Sequence, residues 1–227
     1  VTTLLTVERQ NSTYMQSQIQ DITSTVGQLK KLSETDVELL KKYSKIYFLN
    51  ENYVPLKLSD IDPKYLNIKN KQVQVHSDIL PHLTQMLDSA KSQGVEIQIL
   101  SGFRSFSTQA SLKSEYKTTY GSGANKFSAD QGYSEHQLGT TLDFTTEKVG
   151  AVLAGFDKTE AYKWMSTNAH KYGFILSYPK NNAYYVYEPW HWRYVGVALA
   201  TKLYDQKLNF YDASQRDIDQ YLANIFD

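Results

Sequence analysis

From Tyr47 to the end of the chain, short strand-like and helix-like segments follow one another without a regular order. The segment "VEIQIL" at 95–100 alternates apolar and polar residues, as a half-buried strand does. "TTLDFTT", "FILSY" and "AYYVYE" also predict short strands, and "LSDIDPKYL" at 58–66 predicts a loop. Helices are expected over 78–91, 107–117, 159–172, 195–207 and 214–225. Because no strand–helix–strand rhythm recurs, the pattern predicts an α+β fold with a small, mostly antiparallel sheet.

The expected helix over 78–91 shows the clearest periodicity. Ser77 occupies the position of a capping residue, and Pro81 falls in the first turn, where a helix tolerates proline. The residues expected to face the core are Ile79, Leu80, Leu83, Met86, Leu87 and Ala90. This spacing predicts one buried helix face.

Residues 1–45 differ from the rest, with no proline, one glycine and many Gln, Ser and Thr residues. Apolar residues recur there at helical spacing: Met15, Ile19, Ile22, Val26 and Leu29. Ser33 and Asp36 resemble a capping box, so a second helix is expected through about Tyr43. The stripe permits a helical hairpin packed on the rest of the chain, or a stalk or coiled-coil spacer. We therefore expect a helical segment or stalk over 1–45 and one further domain over 46–227.

The composition excludes several kinds of site. Lys plus Arg and Asp plus Glu number 24 each, and a net charge near zero without a basic cluster argues against nucleic-acid binding. The absence of cysteine excludes disulfides, thiolate metal ligands and a cysteine nucleophile. No apolar run approaches membrane-spanning length. Because the chain starts at Val1 and not at Met, we expect that a segment upstream of it was cleaved or omitted.

Two short stretches each place a histidine close to a carboxylate: "SEHQLGTTLD" at 134–143 and "EPWHWR" at 188–193. In the first, Gly139 permits a turn, so that His136 on a loop can fold back over Asp143 on a strand. An aspartate in the apolar run "LDF" is costly if it is buried without a partner. A divalent cation, an arginine or a set of backbone N–H groups could each be the partner of the Asp143 carboxylate. The other histidines are expected in structural or surface roles: His76, His82 and His170.

In the second stretch, Pro189 interrupts the preceding strand, so Glu188 and His191 need not follow strand alternation. Beyond the proline, His191 and Arg193 share one face, and the other face carries Trp190, Trp192 and Tyr194. Two indoles would hold the backbone rigidly, as a metal ligand requires. A strand end with an Arg–Glu pair would produce the same pattern.

Together, the two stretches supply two imidazoles and one carboxylate, a donor set typical of catalytic zinc that leaves the fourth position to water. Zinc lowers the pKa of such a water to about 7. A free carboxylate must then accept the proton and pass it to the leaving amine, and Glu188 is the candidate. Many proteins carry two histidines and an aspartate, so the residues alone leave the structural alternatives open.

The combined motifs resemble those of one enzyme family. The pattern S-x-H-x-x-G-x-x-x-D, followed by E-x-W-H-x-R and preceded by "SGFRS", is similar to the VanY/DacB family of zinc D-alanyl-D-alanine and L,D-carboxypeptidases, which trim peptidoglycan stem peptides. The similarity runs from about residue 99 to 196 and more weakly back to about 54. It implies the D-Ala-D-Ala carboxypeptidase/Hedgehog-like fold, a Zn²⁺ cofactor and a peptidoglycan stem peptide as substrate.

By position, the resemblance assigns His136, Asp143 and His191 as zinc ligands and Glu188 as the general base. Arg104 of "SGFRS" matches the arginine that polarises the scissile carbonyl or binds a substrate carboxylate. A permanent charge and a fork of donors suit that role, while a surface salt bridge is the structural alternative.

Three further positions are informative. Ser134 and Gln109 match polar residues that contact the peptide in the L,D-specific branch, although Gln109 could equally be solvent-facing helix surface. Thr141 departs from the family, which commonly has alanine two residues before the aspartate. Its extra bulk and hydroxyl are expected to alter the packing behind the ligand, or its hydroxyl to hydrogen-bond to the ligand.

The sequence therefore predicts a zinc-dependent carboxypeptidase that removes the C-terminal D-alanine from peptidoglycan stem peptides. Ser134 and Gln109 favour the L,D bond of a tetrapeptide over the D,D bond of a pentapeptide. The alternatives are a peptidoglycan endopeptidase or lysin, a zinc-containing module that binds cell-wall peptides without cleaving them, and a structural stalk protein. The location of this substrate predicts an exported bacterial protein, extracellular or associated with the cell wall or membrane, with a signal peptide or a single membrane anchor upstream and an undetermined oligomeric state.

Overall fold

The computed structural model describes residues 2–35, 49–120, 129–182 and 185–227. Helices and short strands are interspersed, and both sheets are antiparallel, which confirms the predicted α+β fold. None of the helices in these ranges combines the length and the apolar character needed to cross a membrane. The expected boundary between 1–45 and 46–227 falls outside the described residues and stays a prediction.

A small two-stranded sheet precedes the main one. Strand β1 (Leu58–Asp60) pairs with strand β2 (Gln74–His76), and the side-chain amides of Gln72 and Gln74 donate to the Asp60 carboxylate. The prediction of a loop over 58–66 is therefore wrong at its first residues. A strand this short carries no readable alternation, and its partner is remote in sequence.

The main sheet contains the strands β3 (Gln98–Ser101), β4 (Thr141–Thr145), β5 (Phe174–Leu176) and β6 (His191–Tyr194). Their order is β3-β4-β6-β5, with every neighbouring pair antiparallel. Leu142 and Trp192 are opposite each other and buried in the core. Because side chains alternate along a strand, the adjacent opposed pair, Asp143 and His191, projects to the other side of the sheet.

The strand predicted over 183–188 does not form in its described part, 185–188. The ring of Tyr185 stacks on Tyr178 with 4.1 Å between centroids, and the Glu188 amide donates to the Tyr178 carbonyl. Tyr185, one of the aromatic residues that favour a strand in the sequence, is here packed against a neighbouring ring instead.

The described residues contain six α-helices: α1 (Thr2–Glu34), α2 (Leu80–Ser92), α3 (Phe106–Tyr120), α4 (Glu160–Asn168), α5 (Val197–Gln206) and α6 (Gln215–Asp219). Helices α2 to α5 correspond to the four helices predicted over 78–91, 107–117, 159–172 and 195–207. The helix predicted over 214–225 is wrong in its second half, because α6 ends at Asp219 and only a 3-10 turn, Leu222–Asn224, follows.

Helix α2 buries the predicted face, with Leu83, Met86, Leu87 and Ala90 at most 3% exposed. Its N-terminal cap differs from the prediction. A 3-10 turn precedes the helix, and the His76 imidazole, rather than Ser77, accepts a hydrogen bond from the Asp78 amide. His82 packs near Tyr194, and His170 stacks on Tyr204. The three histidines set aside in the sequence thus have packing or capping roles.

Helix α1 carries its apolar stripe on an open face. The five stripe residues are between 58% and 62% exposed: Met15, Ile19, Ile22, Val26 and Leu29. Near the C-terminal end of α1, Lys31 binds the side chains of Asn224 and Asp227. In the described residues the stripe is therefore not packed on the domain, and the second helix expected through about Tyr43 lies outside them. The stalk remains a prediction.

Candidate metal centre and cleft

His136 lies in a short 3-10 turn, Glu135–Leu138, which ends at Gly139 with a φ of 70°. This left-handed backbone favours glycine, and a Cβ there would also come within 3.3 Å of the His76 backbone nitrogen. The turn buries His136, whose Nδ1 lies 2.7 Å from the Gly102 carbonyl oxygen. Because a carbonyl only accepts, the ring donates from Nδ1, and Nε2 keeps its free electron pair.

Asp143 lies between the two imidazoles. Its Oδ2 is 3.3 Å from His136 Nε2, and its Oδ1 is 3.2 Å from His191 Nδ1. The ligand atoms of these three buried residues all lie within 4.8 Å of one another. We call His136, Asp143 and His191 the His–Asp–His group. The structure thus brings together the three residues that the sequence analysis selected, and their role as ligands stays a prediction.

The His–Asp–His group fits a divalent metal ion. His136 Nε2 is buried and makes no hydrogen bond to any described residue. A buried polar atom without a partner is costly, and a metal ion would accept its electron pair. Two imidazoles and a carboxylate are a donor set that suits zinc.

The charges within the group are strongly coupled. Burial, followed by the charge of Arg104, lowers the pKa of His136 to about 4, so this ring is neutral at neutral pH. Burial favours protonation of Asp143, but the two histidines outweigh it and hold its pKa well below the usual value. Burial likewise opposes protonation of His191, but hydrogen bonds to Asp143 and Glu135 raise its pKa to about 9. A metal ion would displace that proton, because imidazole ligates in its neutral form.

Glu135, which the sequence analysis did not select, is fully buried beside His191. Its Oε2 accepts hydrogen bonds from His191 Nε2 at 3.0 Å and Ser177 Oγ at 2.7 Å. Its Oε1 accepts from Arg193 Nη1 at 2.8 Å and the Tyr211 hydroxyl at 2.6 Å. Four donors satisfy the carboxylate and orient His191 with Nε2 protonated and Nδ1 directed at the other members of the group.

The structure explains why Glu135 is needed at this place. Arg193 is 1% exposed, and a buried guanidinium needs an anion. The Arg–Glu pair considered for "EPWHWR" does form, but with Glu135 and not with Glu188. The partner lies 58 residues away, so only the packing of the 3-10 turn against β6 reveals it.

Glu188 stands next to the His–Asp–His group. Its Oε2 is 3.7 Å from His191 Nδ1, and its side chain is 20% exposed. Burial, partly offset by His191, raises the pKa of Glu188 to about 7. The Tyr178 ring stacks on the His191 ring at 4.1 Å and 12°, while the Tyr178 carbonyl accepts from the Glu188 amide. Tyr178 thus fixes both the ligand candidate and the base candidate.

A cleft of about 500 Å³ opens onto this group, and the residues lining it include Arg104, Ser134, Glu188 and Trp190. The Arg104 amide donates to the His136 carbonyl at 3.2 Å, which fixes the backbone of "SGFRS" against the metal centre. The substrate contacts of Arg104 and Ser134 stay predictions.

Gln109 does not line the cleft in the described part of the chain. It is 1% exposed, and its side-chain amide donates to the Ala129 carbonyl at 2.8 Å. The alternative of a solvent-facing Gln109 is therefore wrong, and its contact with substrate stays a prediction. Thr141 is fully buried and its hydroxyl makes no hydrogen bond to a described residue, so the bond to the ligand is not formed there.

Comparison with known proteins agrees with this geometry. The family described as VanY, D-alanyl-D-alanine carboxypeptidase, matches residues 72–197. A putative carboxypeptidase of Bacillus subtilis (strain 168) is 36% identical over 182 residues, which are 75% of this chain. The aligned part spans 64% of the length of that relative.

Two solved structures are similar in fold. The LdcB LD-carboxypeptidase shares 33% identity at a TM-score of 0.66, covering 74% of this chain and 81% of that one. A variant of the vancomycin-resistance D,D-pentapeptidase VanY, in complex with Zn(II), shares 28% identity at a TM-score of 0.59, covering 74% and 97%. The family match spans more than half of the chain and contains the whole His–Asp–His group. This chain therefore belongs to the VanY D-alanyl-D-alanine carboxypeptidase family.

Proposed function

We propose that this protein is a zinc-dependent carboxypeptidase that removes the C-terminal D-alanine from peptidoglycan stem peptides. The observation that carries the proposal is the convergence of three buried ligand atoms within 4.8 Å, with the Glu188 carboxylate 3.7 Å from one of them. The complex of the related D,D-pentapeptidase with Zn(II) supports zinc as the metal.

In this proposal His136, Asp143 and His191 hold the zinc. When bound, zinc supplies a Lewis acid that polarises a carbonyl and activates water. Glu188 accepts the proton of the attacking water and delivers it to the amide nitrogen as the peptide bond breaks, releasing D-alanine as the amine. Its pKa of about 7 suits a group that must both take and give a proton near neutral pH.

Arg104 stabilises the charge that develops during this step. Its side chain lines the cleft, and its Nε is buried without a hydrogen-bond partner among the described residues. A fixed donor of this kind favours the negative charge on the former carbonyl oxygen more than it favours the neutral substrate.

We further propose a modest preference for the L,D bond of the tetrapeptide. Ser134 supports it, because it lines the cleft beside His136. Gln109 gives no support, since it is buried against Ala129. The two solved relatives comprise one LD- and one D,D-specific enzyme, so the proposal depends on Ser134.

Mass spectrometry of purified stem tetrapeptide and pentapeptide, incubated with the protein with and without a chelator, tests the proposal. We expect loss of one alanine, abolished by the chelator and restored by zinc, and faster loss from the tetrapeptide. Release of larger fragments would identify an endopeptidase instead. Zinc binding without any cleavage would identify a non-catalytic module that binds cell-wall peptides.

Glu188→Gln tests the assignment of the base. We expect a loss of about 10²–10⁴-fold in kcat, the usual contribution of a general acid–base group, with zinc still bound. Glu147→Gln is the matched control, because Glu147 is an exposed carboxylate next to β4 that does not line the cleft. Wild-type turnover by Glu188→Gln would refute the mechanism.

The proposed substrate also implies a location. Peptidoglycan lies outside the cytoplasmic membrane, so we propose that the protein is exported and acts at the cell wall. Fractionation of the producing cells, with the protein followed by antibody, should find it outside the cytoplasm.

A further inference from the structure

A second cation stands in the cleft beside Arg104. Lys71 precedes β2, and its side chain lines the same cleft as Arg104 and Glu188. Lys71 Nζ donates a hydrogen bond to the Leu100 carbonyl at 3.0 Å, which ties the ammonium to β3. An ammonium has three donors, so two remain for a ligand.

Lys71 lines the same cleft as Asp143 of the His–Asp–His group and is exposed to the charges there. Partial burial is the main cause of its lowered pKa, Arg104 lowers that pKa further, and Asp143 raises it. The ammonium thus interacts with both the cleft arginine and a proposed metal ligand. Among the described residues neither Lys71 nor Arg104 has a carboxylate within ion-pair distance.

Two cations that line one cleft, neither in an ion pair with a described carboxylate, repel each other, and an anionic ligand would reduce that cost. In a carboxypeptidase substrate, only the amide nitrogen and one Cα separate the scissile carbonyl from the terminal carboxylate, a distance of about 4 Å or less. A carbonyl held at the His–Asp–His group therefore places the carboxylate where a neighbouring cation can reach it.

We propose that Lys71 is a specificity-determining residue that binds the free C-terminal carboxylate of the peptide, so that the cleft selects chain ends. The inference rests on the proposed function and extends it, because it explains why the enzyme would cut one residue from the end of a stem and not within it. Arg104 then acts on the scissile carbonyl, and Lys71 acts on the carboxylate beyond it.

The test compares two substrates and three variants. The substrates are the stem tetrapeptide or pentapeptide, whichever is cleaved faster, with either a free C-terminal carboxylate or a C-terminal carboxamide. The variants are Lys71→Met, Lys71→Arg and Lys69→Met. Lys69 lies in the same segment, is exposed, and donates to the Lys64 carbonyl outside the cleft, so it is the matched control.

Lys71→Met should lower kcat/KM for the free acid about tenfold or more, the value of a charge-assisted hydrogen bond. The loss should lie in KM, with kcat and zinc affinity little changed. Lys71→Met should not affect cleavage of the carboxamide. Lys71→Arg should retain part of the preference for the free acid, and Lys69→Met should behave as wild type. The proposal would be overturned if Lys71→Met lowered kcat/KM equally for both substrates, or if it left the preference for the free acid unchanged. Thermal unfolding of each variant identifies any that fail to fold.

A binding measurement separates this inference from the proposed function. Zinc-loaded Glu188→Gln protein should bind the free acid at least about tenfold more tightly than the carboxamide, and adding Lys71→Met should remove the difference. If wild-type protein cleaves neither peptide, the proposed function fails, yet this comparison still decides whether Lys71 recognises a C-terminal carboxylate. Equal binding of the free acid and the carboxamide would refute the role of Lys71. If Lys71→Met weakened the binding of both peptides equally, Lys71 would bind another carboxylate of the stem, and the proposal would also fail.

Discussion

Replacing Glu135 with glutamine should weaken metal binding without touching a metal ligand. The carboxylate accepts from His191 and Ser177 on one oxygen and from Arg193 and Tyr211 on the other. A glutamine keeps only one acceptor oxygen, and the buried charge of Arg193 holds that oxygen. The NH₂ group then faces His191 Nε2 and favours a neutral ring that accepts at Nε2 and carries its proton on Nδ1, whereas the Glu135 carboxylate keeps a proton on Nε2 when a metal displaces the one on Nδ1.

Nδ1 is the nitrogen that lies 3.2 Å from Asp143 and would ligate the metal. A protonated Nδ1 cannot ligate, so metal binding to the variant has to leave the remaining ring proton on Nε2, where the amide NH₂ opposes it and the wild-type carboxylate would accept it. Loss of a carboxylate that supports a histidine ligand costs about 10–100-fold in metal affinity. We expect Glu135→Gln to fall in this range, and to lose about 3 kcal/mol of metal-free stability because the buried Arg193 loses its counter-charge.

Tyr211→Phe is the matched control. It removes the donor to the oxygen that does not contact His191, so it should cost about 2 kcal/mol of stability and leave metal affinity nearly unchanged. Zinc affinity is measured by competition with a chromophoric chelator, stability by chemical denaturation, and the tautomer of His191 by ¹⁵N NMR. Equal zinc affinity in Glu135→Gln and wild type, or an equal loss in Tyr211→Phe, would refute the reasoning.

Two further predictions concern glycine and histidine positions. Gly102→Ala should destabilise the protein and weaken zinc binding, because a Cβ there would lie 2.4 Å from the Gln74 carbonyl oxygen and would displace the Gly102 carbonyl that holds His136. Gly27 lies in open space on α1, so Gly27→Ala should instead raise the free energy of unfolding by up to about 1 kcal/mol in denaturation measurements. His170 has a pKa below 6.5 in the folded protein because it is buried, so the unfolded chain binds a proton first and stability falls as the pH drops below 6.5. His170→Gln should flatten that part of the melting temperature–pH profile, and an unchanged slope would exclude His170 as its cause.

Much of the fold and the centre of the site were readable in the sequence. The buried face of α2 follows from helical spacing, and Asp143 and His191 stood out as candidates because one is a carboxylate on an apolar strand and the other a histidine after a strand-breaking proline. These signals are local, since they depend on the period of one element or the cost of burying one group. The short strand β1 and the early end of α6 have no such local signal, and both were missed.

The sequence by itself determined which side chains have the chemistry to bind a metal, because imidazole and carboxylate donors are a property of each residue, and the resemblance of the motifs selected three of them. Only the tertiary structure decided what surrounds them. Glu135 reaches Arg193 across 58 residues, Gln109 is buried against Ala129, and Lys71 enters the cleft by bonding to β3. These contacts join segments that are remote in the chain. The sequence does not show which group a polar side chain will bind, because that choice is made only when packing excludes water and leaves one partner within reach.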